Sequence, residues 1–141
     1  MEGEYKFSNN SKKNIEDVRA DLIQLVERVL YKSPHDFGIP KTGGYRTAED
    51  QHRLFHQVPK VTNCDGYKKL SYHQSGNAVD IFVYDEHGAC WSCLEKYDEI
   101  ADLMKAEFIL MQEECFFQNE EFRWGGDWRN PDRPHFEIRD K

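Results

Sequence analysis

Two short stretches of this chain concentrate residue types that bind metal ions. One is Ser71-Tyr72-His73-Gln74-Ser75-Gly76-Asn77-Ala78-Val79-Asp80, and the other is Asp132-Arg133-Pro134-His135-Phe136-Glu137. Imidazole nitrogen and carboxylate oxygen both suit zinc, and a catalytic zinc site uses three protein ligands and keeps a fourth position for water. His73, Asp80 and His135 supply such a set, one ion per chain. The Ser75-Gly76-Asn77 turn lets the chain reverse between the first two. If Asp80 and His135 lie on adjacent strands, they face each other at about 5 Å on one side of a sheet. A lone carboxylate inside the apolar run Ala78–Tyr84 is costly to bury, and a metal ion gives it a reason to be there.

Neighbouring residues extend this chemistry. Asp132 precedes His135 by three positions, close enough to act on a metal site without being a ligand, which is what a general base needs. Glu137 falls on the same strand face as His135 and is placed to accept a hydrogen bond from the ligand imidazole. His35, His52, His56 and His87 have no comparable context and read as surface or packing residues. Cys90-Trp91-Ser92-Cys93 has the spacing of a redox pair or half a zinc knuckle, and His87 could add a third ligand. No second such pair exists, however, and Ser92 with Glu95 reads as a helix start. Cys64, Cys90, Cys93 and Cys115 are all expected to be thiols, as in a reducing compartment. Trp124 and Trp128 read as core or cleft wall. Asp85 and Glu86 are too few acids to make a cation site.

The elements that must position these residues follow from periodicity. Ile15, Val18, Leu22, Leu25, Val26 and Val29 recur at helical spacing and predict one helix from Ser11 to Tyr31. Residues 35–46 carry Gly and Pro breaks and read as turn and short strand. Thr47 is placed to cap a helix that runs to about Gln57, with Glu49 and Asp50 in its first turn. Residues 58–72 read as a loop, and Ala78–Tyr84 as a central strand. Residues 85–91 form a turn. Ser92 and Glu95 form a capping box for a long helix to about Phe116, with Leu94, Tyr97, Ile100, Ala101, Met104, Phe108 and Met111 inward. Phe122–Trp124 is a short strand, Gly125-Gly126 a turn and Pro134–Ile138 a final strand. The expected class is α+β, with helices packed on a small, mostly antiparallel sheet that carries the metal site.

Bulk properties narrow the function. The 141 residues suit a single domain, 1–141, without a separate wall-binding module. Nine Phe, seven Tyr and three Trp promise large burial per residue in a chain of mean hydropathy −0.86. A net charge of −7 argues against nucleic acid as a partner. No run approaches the roughly 20 apolar residues of a membrane span. The opening MEGEYKFSNNSKK lacks an apolar signal core, so synthesis in a cytosol is expected, as a monomer.

The order of these motifs resembles that of the LAS peptidases, the superfamily of D-Ala-D-Ala carboxypeptidases of the VanY type and L-alanyl-D-glutamate peptidases. SYHQSGNAVD matches its Ser-x-His-x-x-Gly-x-Ala-x-Asp motif, and DRPHFE matches its closing motif. GGYRTAEDQ resembles the upstream Gly-Tyr-Arg motif, and RWGGDW a stretch found in peptidoglycan-cutting members. The resemblance spans about Phe7 to Ile138 and is nearest to small phage endolysins that cut the L-Ala–D-Glu bond. It implies zinc on His73, Asp80 and His135, with Asp132 as the base. It also implies that Arg46 holds the scissile carbonyl oxygen, that Ser71 orients substrate or ligands, and that Gln51 is structural. The implied substrate is the peptidoglycan stem peptide, reached from the host cytoplasm after release by a holin. The same scaffold also serves D,D- and L,D-carboxypeptidases, and its zinc constellation occurs in non-catalytic hedgehog-type signalling domains.

Overall fold

The computed structural model describes residues 4–141; residues 1–3 of the expected domain, and of the opening segment, lie outside it. The helices are α1 (Asn9–Ile15), α2 (Ala20–Lys32), α3 (Ala48–Phe55) and α4 (Leu94–Glu113). The strands are β1 (Phe37–Gly38), β2 (Ala78–Asp80), β3 (Phe82–Asp85), β4 (Gly88–Cys90), β5 (Glu120–Trp124) and β6 (His135–Asp140). The class is α+β as expected, with two small antiparallel sheets, ordered β1-β3-β4 and β2-β6-β5.

The apolar run that reads as one strand is divided between these sheets. β2 pairs with β6 and β3 pairs with β1 and β4. The switch falls at Ile81, whose N–H donates to the Pro134 carbonyl at 3.0 Å. Ile81 and its neighbours Val79 and Val83 are buried, so the segment threads the core while changing partners. α2 and α4 pack together over this layer through Leu22, Leu25, Val26 and Val29 on one side and Tyr97, Ile100, Met104 and Met111 on the other. The inward positions on α4 agree with the periodicity except at Leu94, which is exposed.

Three local expectations need correction. The first helix is interrupted: α1 stops at Ile15 and α2 starts at Ala20. Its apolar spacing continues through the break because Ile15 and Val18 are both buried. The backbone leaves the helix because the Arg19 N–H donates to Gly76 O at 3.0 Å and not to its own helix. The Arg19 side chain then donates to Asp21 and Asn77. At α4, the cap residue is Cys93 with no side-chain cap, so the Ser92–Glu95 box does not form. Finally, Cys90 and Cys93 are joined in a disulfide, with Cα atoms 5.7 Å apart, and only Cys64 and Cys115 are free. The last residue of β4 and the cap of α4 meet across one tight turn, a juxtaposition that spacing alone leaves open.

Candidate metal centre and active site

His73 rides on a one-turn 3-10 helix, Tyr72–Ser75, inside the stretch that reads as a loop running into a turn. Ser71 caps it: its Oγ accepts from the His73 N–H at 3.2 Å, while Gln74 Oε1 accepts from the Ser71 N–H at 3.0 Å. Both halves of a capping box are therefore present, and the cap sets the position of the histidine backbone. Gly76 ends the turn at φ 73°, where a side chain would be strained and would also press on the Asp17 carbonyl at 3.1 Å. The α1–α2 break thus braces the turn that presents His73.

Asp80 and His135 stand directly opposite each other in the β2–β6 ladder. His135 Nδ1 lies 2.9 Å from Asp80 Oδ1. His73 Nε2 lies 3.3 Å from that oxygen and 3.3 Å from His135 Nδ1. Three ligands placed tetrahedrally around zinc at their usual bond lengths sit roughly 3.3 Å apart, so the triangle has the right size. Each ring is held by its other nitrogen. His73 Nδ1 donates to Gly44 O at 2.8 Å, and His135 Nε2 donates to Glu137 Oε1 at 2.6 Å. Those bonds direct the remaining nitrogens to the shared point, as in known metal sites where an outer partner fixes the ring. A second grouping of possible ligands among the described residues, Asp85 with Cys90 and Cys93, has its sulfurs in the disulfide.

The paired glycines before Arg46 contribute more than their sequence suggests. Gly43 O accepts from the Asp80 N–H at 2.7 Å, and Gly44 O takes the His73 ring. A Cβ on Gly44 would lie 2.1 Å from Asn14 O, so only glycine lets α1 approach this loop. Their adjacency is the signal that could have marked them as ligand supports. Gln51, fully buried, accepts from Arg46 Nη1 at 3.1 Å and donates to Thr62 and to Cys64 O. It joins α3, the Arg46 loop and the segment leading to His73.

Arg46 is brought to the site, but not as a free group. Its Nη2 donates to Asp80 Oδ2 at 2.9 Å and its Nε to Thr42 O at 2.7 Å. Asp132 stands at the mouth of the site. Its backbone N–H donates to Gly125 O at 2.8 Å and its carbonyl accepts from the His135 N–H at 3.1 Å. A Cβ on Gly125 would lie 2.3 Å from Asp132 O, which explains the glycine there. Trp128 forms a wall beside His135, with ring centroids 5.1 Å apart. Trp124 is buried and donates to Arg133 O, bracing the Asp132 loop. Both tryptophans agree with the core-or-wall reading. Glu137, buried, also accepts from Arg139, whose guanidinium lies 5.1 Å from the centre of the Tyr72 ring.

The electrostatics divide the two aspartates. Burial alone would raise the Asp80 carboxyl, but His73 and His135 outweigh it and hold it well below the usual range. The side chain of Asp132 is shielded although the residue reaches solvent, and that shielding, with the charge of Asp80, pushes its carboxyl up. One carboxylate is thus kept ionised as a ligand should be, and its neighbour is shifted toward proton exchange.

Among the described residues no helix is long and apolar enough to cross a membrane. Comparison with known proteins agrees with this geometry. Residues 3–141 match the family model for the phage L-alanyl-D-glutamate peptidases. The chain is 28% identical over 138 residues to the L-alanyl-D-glutamate peptidase of Escherichia phage T5, covering 96% of this chain and 90% of the relative. Its fold superposes on the crystal structure of the Serratia marcescens L-Ala D-Glu endopeptidase ChiX with a TM-score of 0.72, at 25% identity, over 96% of this chain and 90% of the other. Sequence motifs, site geometry and fold converge, and the chain belongs to the phage L-alanyl-D-glutamate peptidase family.

Proposed function

We propose that this chain is a zinc-dependent peptidoglycan hydrolase that cleaves the amide bond between L-alanine and D-glutamate in the stem peptide. The carrying observation is the convergence of His73 Nε2, His135 Nδ1 and Asp80 Oδ1, with both rings tied from behind. The activity named for the phage T5 and Serratia relatives supports the choice of bond. Zinc suits a donor set of two imidazoles and one carboxylate, and when bound it supplies Lewis-acid polarisation and acidifies water.

The protein's own groups do the rest. Asp132, with its raised carboxyl, takes a proton from the attacking water and passes it to the leaving amine. Arg46 has five N–H donors, and its bonds to Thr42, Gln51 and Asp80 leave two for the carbonyl oxygen as negative charge develops there. Gln51 holds that guanidinium in place. Ser71 sets the turn that carries His73, and Glu137 fixes the ring of His135. The chain works as a monomer, made in the host cytoplasm and admitted to the wall by a holin-type release.

Digestion of purified muropeptides, read by mass, tests this. The expected products are split between L-Ala and D-Glu, disappear with chelator and return with zinc. Loss of terminal D-Ala alone would replace the endopeptidase with a carboxypeptidase. Zinc binding without any cleavage would replace it with a binding module.

A further inference from the structure

The segment between α3 and the His73 turn exposes apolar residues that a folded chain usually hides. Val58 is 92% exposed, Val61 54%, Tyr67 59% and Leu70 64%, and Tyr72 is exposed beside them in sequence. Single exposed apolar residues are ordinary, but several in one short segment mark an interaction surface. The charge of the segment is also out of keeping with the chain. Between Gln51 and Tyr72, four cations (Arg53, Lys60, Lys68 and Lys69) stand against one acid, Asp65, in a protein of net charge −7. Arg53 is paired with Asp50, but among the described residues Lys60, Lys68 and Lys69 have no carboxylate partner. Lys60 lies over the Phe55 ring at 5.0 Å, and Asp65 is occupied by the N–H groups of Tyr67, Lys68 and Lys69.

The segment is anchored where the site is built. Gln51 holds it at Thr62 and Cys64, and Gln74 Nε2 donates to Gly66 O at 2.9 Å. Gln51 also accepts from Arg46, and Gln74 flanks His73. The lip is therefore continuous with the proposed catalytic residues. We propose that this lip is a docking surface for intact peptidoglycan, its lysines facing the carboxylates of neighbouring stem peptides and its aromatic and aliphatic side chains facing the sugar rings. Charge complementarity decides the choice: a wall built of stem peptides repeats free carboxylates, and the lip carries three lysines without carboxylate partners among the described residues, beside the site of an otherwise acidic protein. The inference rests on the hydrolase reading above and names how that site finds its polymer.

The test compares wild type with the Lys60→Glu/Lys68→Glu/Lys69→Glu variant on two substrates, insoluble sacculi and a small soluble muropeptide. All three lysines are exposed, and an unchanged melting temperature confirms the fold. The expected result is a KM on sacculi raised roughly tenfold or more, with muropeptide kinetics unchanged, since three exposed charge contacts at typical strength amount to about that factor. The gap should narrow as salt is added. Equal loss on both substrates, or no loss on either, overturns the lip and leaves the hydrolase standing. If wild type cuts neither substrate, the hydrolase reading fails, and co-sedimentation with sacculi decides the lip alone: retention of wild type and release of the variant uphold it. Equal retention on sacculi, with loss only from vesicles of anionic phospholipid, overturns it in favour of a membrane surface.

Discussion

Metal binding to this site must expel a proton from His135. Burial works against a charge on that ring, but its hydrogen bonds to Asp80 and Glu137 prevail and raise it from 6.5 to about 9. At pH 7 the metal-free ring is therefore neutral in only about one molecule in a hundred. Nε2 is committed to Glu137, so the proton in the way sits on Nδ1, the nitrogen that faces His73 and Asp80. Asp80 is already ionised, so the proton on His135 Nδ1 is the one that loading displaces from this pair. Apparent metal affinity at pH 7 should be about a hundredfold, or about 2.7 kcal/mol, below its plateau above pH 9, rising about tenfold per pH unit between. Titration calorimetry in two buffers of different ionisation enthalpy reads this as about one proton released per ion at pH 7. The stability of the metal-free protein runs the opposite way with pH. A folded-state value above the unfolded one stabilises fully below about 6.5 and is lost as the pH rises to about 9, so the melting temperature should fall across that window. Zero proton release at pH 7, together with a flat affinity between pH 7 and 9, would refute the assigned hydrogen-bond pattern.

Replacing Asp132 with Ala should leave zinc content near one per chain while lowering kcat by roughly 10²- to 10⁴-fold, read on muropeptides with metal analysis in parallel; retained turnover removes Asp132 as the base. Gly44→Ala puts a Cβ 2.1 Å from Asn14 O and displaces the carbonyl that holds His73. It should cost about 1–3 kcal/mol in denaturant unfolding and also weaken metal binding, and a variant as stable as wild type would show that the loop can move at no cost. Thiol titration of unfolded, unreduced protein should count two free cysteines and four after reduction, and four in both states would exclude the Cys90–Cys93 bond. Leu25→Ala, at a fully buried position on α2, should lower stability by about 2–5 kcal/mol without changing kcat.

The chemistry of this protein is written in local sequence. The grouping of His73, Asp80 and His135 was legible because of the residues beside them: a carboxylate in an apolar run, and an acid three positions before a histidine. Glu137 was legible from the two-residue period of a strand, which puts it on the face of His135. Helix α3 and its Thr47 cap followed from side-chain chemistry within one turn, and the inner face of α4 from its 3.6-residue period. Tertiary contacts decided the rest. The break at Arg19 exists because the Gly76 carbonyl, far along the chain, competes successfully for its N–H. The division of the central strand at Ile81 depends on a bond to Pro134, and Gly44 is required only once α1 presses against its loop. Arg46 could be placed in the site from its motif, but its hold on Asp80 needed the loop to fold back. Residue type and short-range period determine which groups can bind a metal and which elements form. Where a backbone N–H or C=O finds its partner across the chain is settled only when distant segments compete for it, and here that competition aims the two imidazoles.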